Sequence, residues 1–392
     1  MHPNHLNIRH LLALPIVVRS GSISVAARAV NLTQPAITQG IAKLERQIGM
    51  ALFDRVPGLL IATPAAHLLA ERAENALRFL GNRRATAAQI RAFVALAQHG
   101  SYAAAAGVTG LAEASLHRAV ADLSLTLGVR LVDRRGRGVV LTRRGEEIAR
   151  NFRLALAELR SGRAEIAALQ GREVGHIAVG AMPLSRARLL PNAIATFLRD
   201  NAQVDFAVAE GSHAELIGPL RDGDIDMMIG ALRDDTPGAD LVQMALFTDQ
   251  PVILARSGHP LAHEAGRLAP ADLACFPWIM AAEGTPLRSL WQRMFALADV
   301  SLPKVPIECG SVITIRQLLG QTDFLTMLSP DQVAVELEAG WLVQLGVAPG
   351  AVSRTIGLTT RADWRPTPLQ QAFMATLIEE AGKMRPVSGN SY

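Results

Sequence analysis

The sequence predicts an α/β body behind an all-α head that carries small β wings. Three observations predict it. First, the N-terminal part repeats itself. Aligning Gly21-Ser22 with Gly100-Ser101, an offset of 79, brings Gly49 onto Gly128, Leu52 onto Leu131, Asp54-Arg55 onto Asp133-Arg134 and Thr63 onto Thr142 without a gap. Second, strand-like and helix-like runs alternate from Gly175 onward, the pattern of an α/β domain with parallel strands. Third, charge divides at the same place. Residues 1–170 hold 22 Lys and Arg against 11 Asp and Glu, and the rest hold 17 against 24. A basic end on an acidic body is expected to meet a polyanion at that end alone; the alternative is a solvated surface with a chance imbalance.

The 392 residues, 49% of them apolar, leave room for two or three domains with sizeable cores. Cys275 and Cys309 are the only cysteines. Their spacing suggests neither a disulfide framework nor a zinc site, so both are expected to be small buried residues. The start, MHPNHLNIRH, lacks a signal pattern, and the run LLALPIVV is too short to span a bilayer. A soluble, cytoplasmic chain without a membrane partner is expected.

The first copy of the repeat divides into four elements. Ile8 to Arg19 is a helix with Ile8, Leu11, Leu12 and Val18 inward and Pro15 as a kink. Ser22 caps a second helix, SISVAARAV, whose Ala26 and Ala27 allow close packing, and Asn31-Leu32 turns the chain. Thr33 caps a third helix, with Pro35 tolerated in its first turn. Ile37, Ile41, Leu44 and Ile48 form its buried stripe, and Gln34, Thr38, Gln39 and Lys43 lie on the other face. LFDRVPGLLIAT then reads as a two-stranded wing turning at Pro57-Gly58. Three helices and a wing make a winged helix-turn-helix. Such a third helix fits the DNA major groove, where Gln and Thr both donate and accept at base edges. The candidate DNA contacts are Ser22, Thr33, Gln34, Pro35, Thr38, Gln39, Lys43 and Arg55, the last gripping phosphate. An ordinary helical bundle with a polar surface is the alternative.

The second copy keeps the frame and changes the outer face. Thr86 caps its first helix, where Phe93, Val94 and Leu96 rebuild the core. Ala112 replaces Thr33, which loses the third cap unless Thr109 serves. Glu113 replaces Gln34 and repels phosphate, while His117 and Arg118 replace Thr38 and Gln39. The wing stretch DRRGRGVVLTRRG is more basic, with Arg134, Arg135, Arg137, Arg143 and Arg144. The first copy is thus expected to supply specificity and the second affinity. The alternative is a decayed duplicate that serves as a spacer.

A helix follows each wing. The second, about Arg143 to Gln170, carries an apolar stripe of Ile148, Phe152, Leu156, Leu159, Ile166 and Leu169. It is expected to meet a helix of another subunit; packing on its own chain is the alternative. The expected domains are 1–84 (first winged helix-turn-helix and short linker helix), 85–145 (second), 146–172 (linker helix) and 173–392 (body). In the body, strands are expected in HIAVGAM, VDFAVAEG, IDMMIGAL, KVPIECG, TDFLTMLSP and VSRTIGLTTR, and the alternation continues after QPVILARSGHPLA through ACFPWIMAAEG. Helices are expected in LLPNAIATFLRD, HAELIGPLRDGD, PLRSLWQRMFALA, VITIRQLLGQ and PTPLQQAFMATLIEEAGK.

With these residues in place, the chain resembles the LysR-type transcriptional regulators over nearly its whole length. The resemblance rests on SISVAARAVNLTQPAITQGIAKLERQIGMALFDR in the head and LLPNAIATF, LRDGDIDMMIG and ARSGHPLA in the body. By position, Gln34, Pro35, Thr38 and Gln39 match the family's base-contacting turn and Arg55 its wing arginine. The resemblance implies a sequence-specific, DNA-binding transcription regulator whose linker helix pairs the heads in a homodimer or homotetramer, with double-stranded promoter DNA and RNA polymerase as partners. It also implies a two-lobed effector domain like type 2 periplasmic binding proteins, lobe I about 173–256 and 354–385 and lobe II about 257–353, holding a small molecule between the lobes. AMPLSRARLLPNAI looks like the branch that includes sugar-responsive, galactose-binding-protein regulator-like members. The second head departs from the family's one winged helix per chain.

Open α/β sheets bind ligands at the carboxyl ends of strands and against helix N-termini. That selects Met182, Pro183, Leu184 and Ser185 after the first strand, with Arg186 to pair with a carboxylate. It further selects Gly211, Ser212 and His213 after the second strand, and Thr285, Ser311 and Ser329 in the other lobe. Hydroxyls and free amides there suit an anionic or hydroxylated small organic effector; the alternative is that several merely cap helices. No metal or other cofactor is expected. A small-molecule-binding protein or enzyme with a vestigial head competes with the regulator reading. Against it, the sequence has no Gly-rich phosphate loop, metal cluster or nucleophile elbow, and Asp222, Asp224 and Asp226 read as a solvated turn.

Overall fold

The computed structural model describes residues 8–56, 59–81, 84–136, 138–172, 175–233, 238–266, 268–347 and 353–384, without the side chains of 8–10, 55 and 59. It divides into two compact units, residues 1–175 with 221–224 and the remainder.

The first unit begins with helices α1 (Ile8–Ser20), α2 (Ile23–Ala29) and α3 (Gln34–Ile48), strands β1 (Phe53–Val56) and β2 (Leu59–Ala62), and helix α4 (Pro64–Leu80). The same order follows in α5 (Ala87–His99), α6 (Tyr102–Thr109), α7 (Glu113–Leu127), β3 (Val132–Arg135), β4 (Gly138–Leu141) and α8 (Arg143–Leu169). Each strand pair is antiparallel. Every element of the second segment starts 79 residues after its counterpart in the first, and α8 runs longer than α4.

Local chemistry sets these bounds. The Thr33 hydroxyl accepts the Ala36 amide at 3.4 Å, Pro35 sits in the first turn of α3, and Gly49 ends the helix at φ 71°. Ile37, Ile41, Leu44 and Ile48 are buried below it. In α1, Leu14 and Val17 are the most deeply buried, ahead of Leu11, whereas the expected Val18 is only partly covered and the Ile8 side chain lies outside the described residues. Helix α7 has Ala112 at its N-cap and no side-chain cap. Thr109 does not replace it, because its hydroxyl donates to Ala105 O at 2.7 Å within α6.

Helix α8 carries the apolar stripe that was expected to meet a helix of another subunit. It packs along α4 of its own chain. Leu80, Ala76 and Ala73 share a core with Ala149, Phe152, Ala155 and Leu159, while Ala65, Ala66 and Leu69 share one with Ile166. The two helices are therefore antiparallel. Between these cores Arg72, 2% exposed, pairs with Glu165 at 2.5 and 2.9 Å and with Glu158 at 3.1 Å. Burial works to lower the Arg72 pKa, but the hydrogen bonds and charges of the two carboxylates hold it above the usual value. Gly162 lets the helices approach, since a Cβ there would lie 3.1 Å from Arg72 Cβ.

The second unit holds β5 (Gly175–Ala181), α9 (Leu189–Asp200), β6 (Val204–Glu210), α10 (His213–Asp222), β7 (Met227–Ala231), β8 (Leu241–Asp249) and β9 (Val252–Arg256). It continues through α11 (Pro270–Ala274), β10 (Trp278–Met280), α12 (Pro286–Leu297), β11 (Ile307–Glu308), α13 (Val312–Leu319), β12 (Leu325–Leu328), α14 (Ala334–Glu338), β13 (Leu342–Val347), β14 (Arg354–Arg361) and α15 (Pro368–Gly382). Two five-stranded sheets result, ordered β6-β5-β7-β14-β8 and β11-β10-β12-β9-β13.

The sheets are mixed rather than parallel. β5 and β7 run parallel, as do β10, β11 and β12, but β14 is antiparallel to β7 and β8, and β9 is antiparallel to β12 and β13. The antiparallel strands lie where the chain crosses from one sheet to the other and returns. β9 thus belongs to the second sheet, and the first stretch of the first sheet ends at Asp249 rather than at the expected 256. Phe197, Phe206 and Phe373 pack edge to face in one core, and Trp278, Trp291 and Phe295 in the other. Among the described residues, no helix is long and apolar enough to cross a membrane.

Candidate functional site

Two places in the molecule concentrate polar or charged groups that the core does not use. One is the outward face of the first unit. Ser22 caps α2 by accepting the Val25 amide at 3.4 Å, and Thr33 caps α3. The Gln34 amide group donates to the Ser24 hydroxyl, and Thr38 donates to Gln34 O at 3.0 Å. Both polar side chains are thereby held at the α2–α3 turn. Pro35, Gln39 and Lys43 are exposed, so Gln39 and Lys43 are the groups that stand outward. The Arg55 side chain and the Pro57-Gly58 turn lie outside the described residues.

On the second segment, Arg118, Arg134 and Arg135 are exposed, and Arg137 lies outside the described residues. His117 stacks on Tyr102 with ring centroids 3.5 Å apart. Two corrections follow. Arg143 and Arg144, counted with the wing by sequence, occupy the first turn of α8 and pair with Glu147 at 3.9 and 2.7 Å. Beside Arg118, the exposed face of α7 holds Glu113, Asp122 and Leu125, the last 81% exposed.

The other place is a cavity of about 420 Å³ in the second unit. The turn after β5 lines it with Met182, Pro183 and Leu184. The start of α10 contributes Ser212 and His213, and the start of α12 contributes Thr285. Four expected residues lie elsewhere. Ser185 is fully buried and donates to Met182 O at 2.9 Å and Ile229 O at 3.1 Å. Arg186 pairs with Glu210, Ser311 caps α13, and Ser329 is buried at a turn where its amide donates to Gln332. Gly211, also expected, is not among the lining residues.

Even the lining hydroxyls are engaged. Ser212 donates its amide and hydroxyl to Glu215 at 2.7 and 2.8 Å, which holds that carboxyl below its usual pKa. Thr285 donates to Ala282 O at 2.8 Å. The sequence reasoning missed Arg233, Glu283, Glu308, Cys309, Gln332 and Arg354 in the lining. Arg233 donates to Gly284 O at 3.0 Å, and Arg354 is bound to Asp249 at 2.7 Å. The cysteines also differ from expectation: Cys275 is exposed, and Cys309 is half-buried at the cavity wall. The remaining wall is largely apolar, including Ala231, Ala281, Leu287, Ile315, Met327 and Leu328, as suits a small organic ligand. Among the described residues there is no cluster of His, Cys, Asp and Glu able to hold a metal.

Comparison with known proteins agrees with this division. The bacterial regulatory helix-turn-helix, lysR family, matches residues 8–67 and again 87–146, and the LysR substrate binding domain matches 170–382. The transcriptional regulator GalR of Pseudomonas putida is 32% identical over 388 residues, 96% of each chain, a span that takes in both repeated segments. The SDS degradation transcriptional activation protein of a Pseudomonas species is 33% identical over 303 residues, 76% of this chain but 98% of its own length. Full-length OxyR from Pseudomonas aeruginosa shares the fold, with a TM-score of 0.58 at 24% identity over 75% of this chain and 93% of that one. The chain belongs to the LysR family: it is a DNA-binding transcription regulator with an effector-binding domain, not an enzyme.

Proposed function

We propose that this regulator carries two tandem winged helix-turn-helix heads with unequal tasks, the first reading bases in promoter DNA and the second holding phosphate. The observation that carries the reading is the contrast between α3 and α7 on one frame. Helix α3 exposes Gln39 and Lys43 beside a turn held by Gln34 and Thr38, with Pro35 in its first turn, while α7 exposes Glu113 and Asp122. A carboxylate on a groove-facing helix repels phosphate, so α7 is a poor reader. Arg118 on α7 itself and the wing arginines Arg134, Arg135 and, by sequence, Arg137 still suit sequence-independent contacts, as Arg55 does by sequence in the first head. Ser22 and Thr33 present helix N-termini to the backbone.

The cavity takes the effector, a small anionic or hydroxylated organic molecule. Arg233 and His213 in its lining offer polar contacts, and Met182, Pro183 and Leu184 an apolar floor. The protein acts in the cytoplasm as a homo-oligomer on promoter DNA with RNA polymerase. Genomic fragments captured by wild type, Gln39→Ala and Arg118→Ala test the division of labour. Gln39→Ala should relax site preference, and Arg118→Ala should weaken all fragments alike. Loss of site preference in Arg118→Ala instead would show that the second head reads.

A further inference from the structure

We propose that the α4–α8 pairing closes the two heads of one chain into a self-contained pair, so that the partner head for each DNA contact comes from the same chain rather than from a second copy's linker helix. The inference rests on the reading of both segments as DNA-binding heads. It adds that their pairing is built within the chain.

The closure is crosswise. Helix α4 follows the first head, yet its C-terminal half, Ala73, Ala76 and Leu80, lies in the core of the second segment with Phe93, Leu116 and Phe152. Helix α8 follows the second head, yet Ile166 near its end lies in the first core with Ile37, Leu44 and Leu52. Just beyond α8, Gln170 donates through Nε2 to Ile48 O and Gly49 O, both at 3.0 Å, and so satisfies carbonyls left open at the C-terminal end of α3. Each connecting helix thus completes the other head.

The seam is specific as well as apolar. Arg72 on α4 meets Glu158 and Glu165 on α8 in nearly complete burial. Buried charges of this kind demand their partners and fix one register. Small residues on one side, Ala65, Ala66 and Ala73, and Gly162 on the other let the backbones come close. The stripe on α8 is consumed by this contact. Phe152, Leu159 and Ile166 are buried, Ile148 and Leu156 are partly covered, and Leu169 at its end is half-exposed. Most of the apolar area on α8 is therefore taken up within the chain. Once one head has bound, the other is held nearby at high effective concentration, and the whole pair engages as one step.

A cysteine pair across the seam tests this in the full chain. Leu69→Cys and Ile166→Cys are introduced together with Cys275→Ser and Cys309→Ser, the protein is oxidised, and its mass is measured under denaturing conditions. The expected product is a linked single chain that protects as long a stretch of DNA as wild type. Covalently joined pairs of chains, or no link at all, overturn the inference. The readings separate in a second variant of the linked chain, Arg134→Ala with Arg135→Ala. If the chain links in itself but this variant leaves DNA protection and affinity unchanged, the second segment is not a DNA-binding head, and the closed pair serves the first head alone.

Discussion

On α3 the outward positions hold Gln34, Gln39, Lys43 and Arg46; at the same places in the frame, α7 holds Glu113, Arg118, Asp122 and Leu125. The inward positions of the two helices remain apolar: Ile37, Ile41 and Leu44 correspond to Leu116, Val120 and Leu123, all buried. Both helices end at a glycine in the left-handed region, φ 71° and 67°. Packing therefore keeps the frame, and the outer face is free to diverge. A helix that loses the cations of Lys43 and Arg46, gains the carboxylates of Glu113 and Asp122 and adds one cation at Arg118 keeps its shape but attracts a polyanion less.

The comparison can be broken most severely at the joint between the heads. Arg72→Met leaves Glu158 and Glu165 buried without their cation, which costs about 3–5 kcal/mol. Urea unfolding of the first unit should show a matching drop in midpoint; a change below about 1 kcal/mol would mean that the triad is solvated.

A second break separates the two segments. Gly145 occupies the place that Ala66 holds in the first. A Cβ at Gly145 would lie 2.1 Å from Leu131 O. Gly145→Ala should therefore destabilise by about 1–3 kcal/mol through overpacking against the second wing, read as a lower thermal midpoint. The native Ala66 shows that the first wing leaves this room.

The DNA effects come next. Gln39→Ala should lose about 1–3 kcal/mol of discrimination between a preferred site and a mismatched one. Arg118→Ala should leave that discrimination within experimental error in competition binding. The smallest effect concerns the missing cap. Ala112→Thr supplies to α7 the hydroxyl that Thr33 gives α3, and should stabilise by about 0.5–1 kcal/mol in urea titration. No gain would place the α7 terminus in a geometry a hydroxyl cannot reach.

Much of the fold was legible because it rests on local rules. Caps at Ser22, Thr33 and Thr86, glycines at 49 and 128 and the 3.6-residue stripes mark helices within a residue or two. β8 and β13 went unread, because neither LVQMALFTD nor LVQLGV alternates cleanly between apolar and polar residues. The mixed sheets were missed for a different reason: strand direction depends on where the chain crosses between sheets, which no local pattern records. The stripe on α8 stated that an apolar partner exists but not which chain supplies it. In the cavity, Met182 to Leu184 followed from the strand-end rule. Arg233, Glu308 and Cys309 did not, since distant segments bring them together. Hydroxyls drew attention at Ser185 and Ser329, where the backbone had already claimed them.

The unequal heads are tested most directly by the salt dependence of DNA binding, measured for wild type and for Arg134→Ala with Arg135→Ala. Each phosphate contact contributes about 0.9 to the slope of log affinity against log salt. The account predicts a slope shallower by about 2 with the preferred site unchanged. An unchanged slope, or a changed site preference, would contradict a phosphate-gripping second head beside a base-reading first.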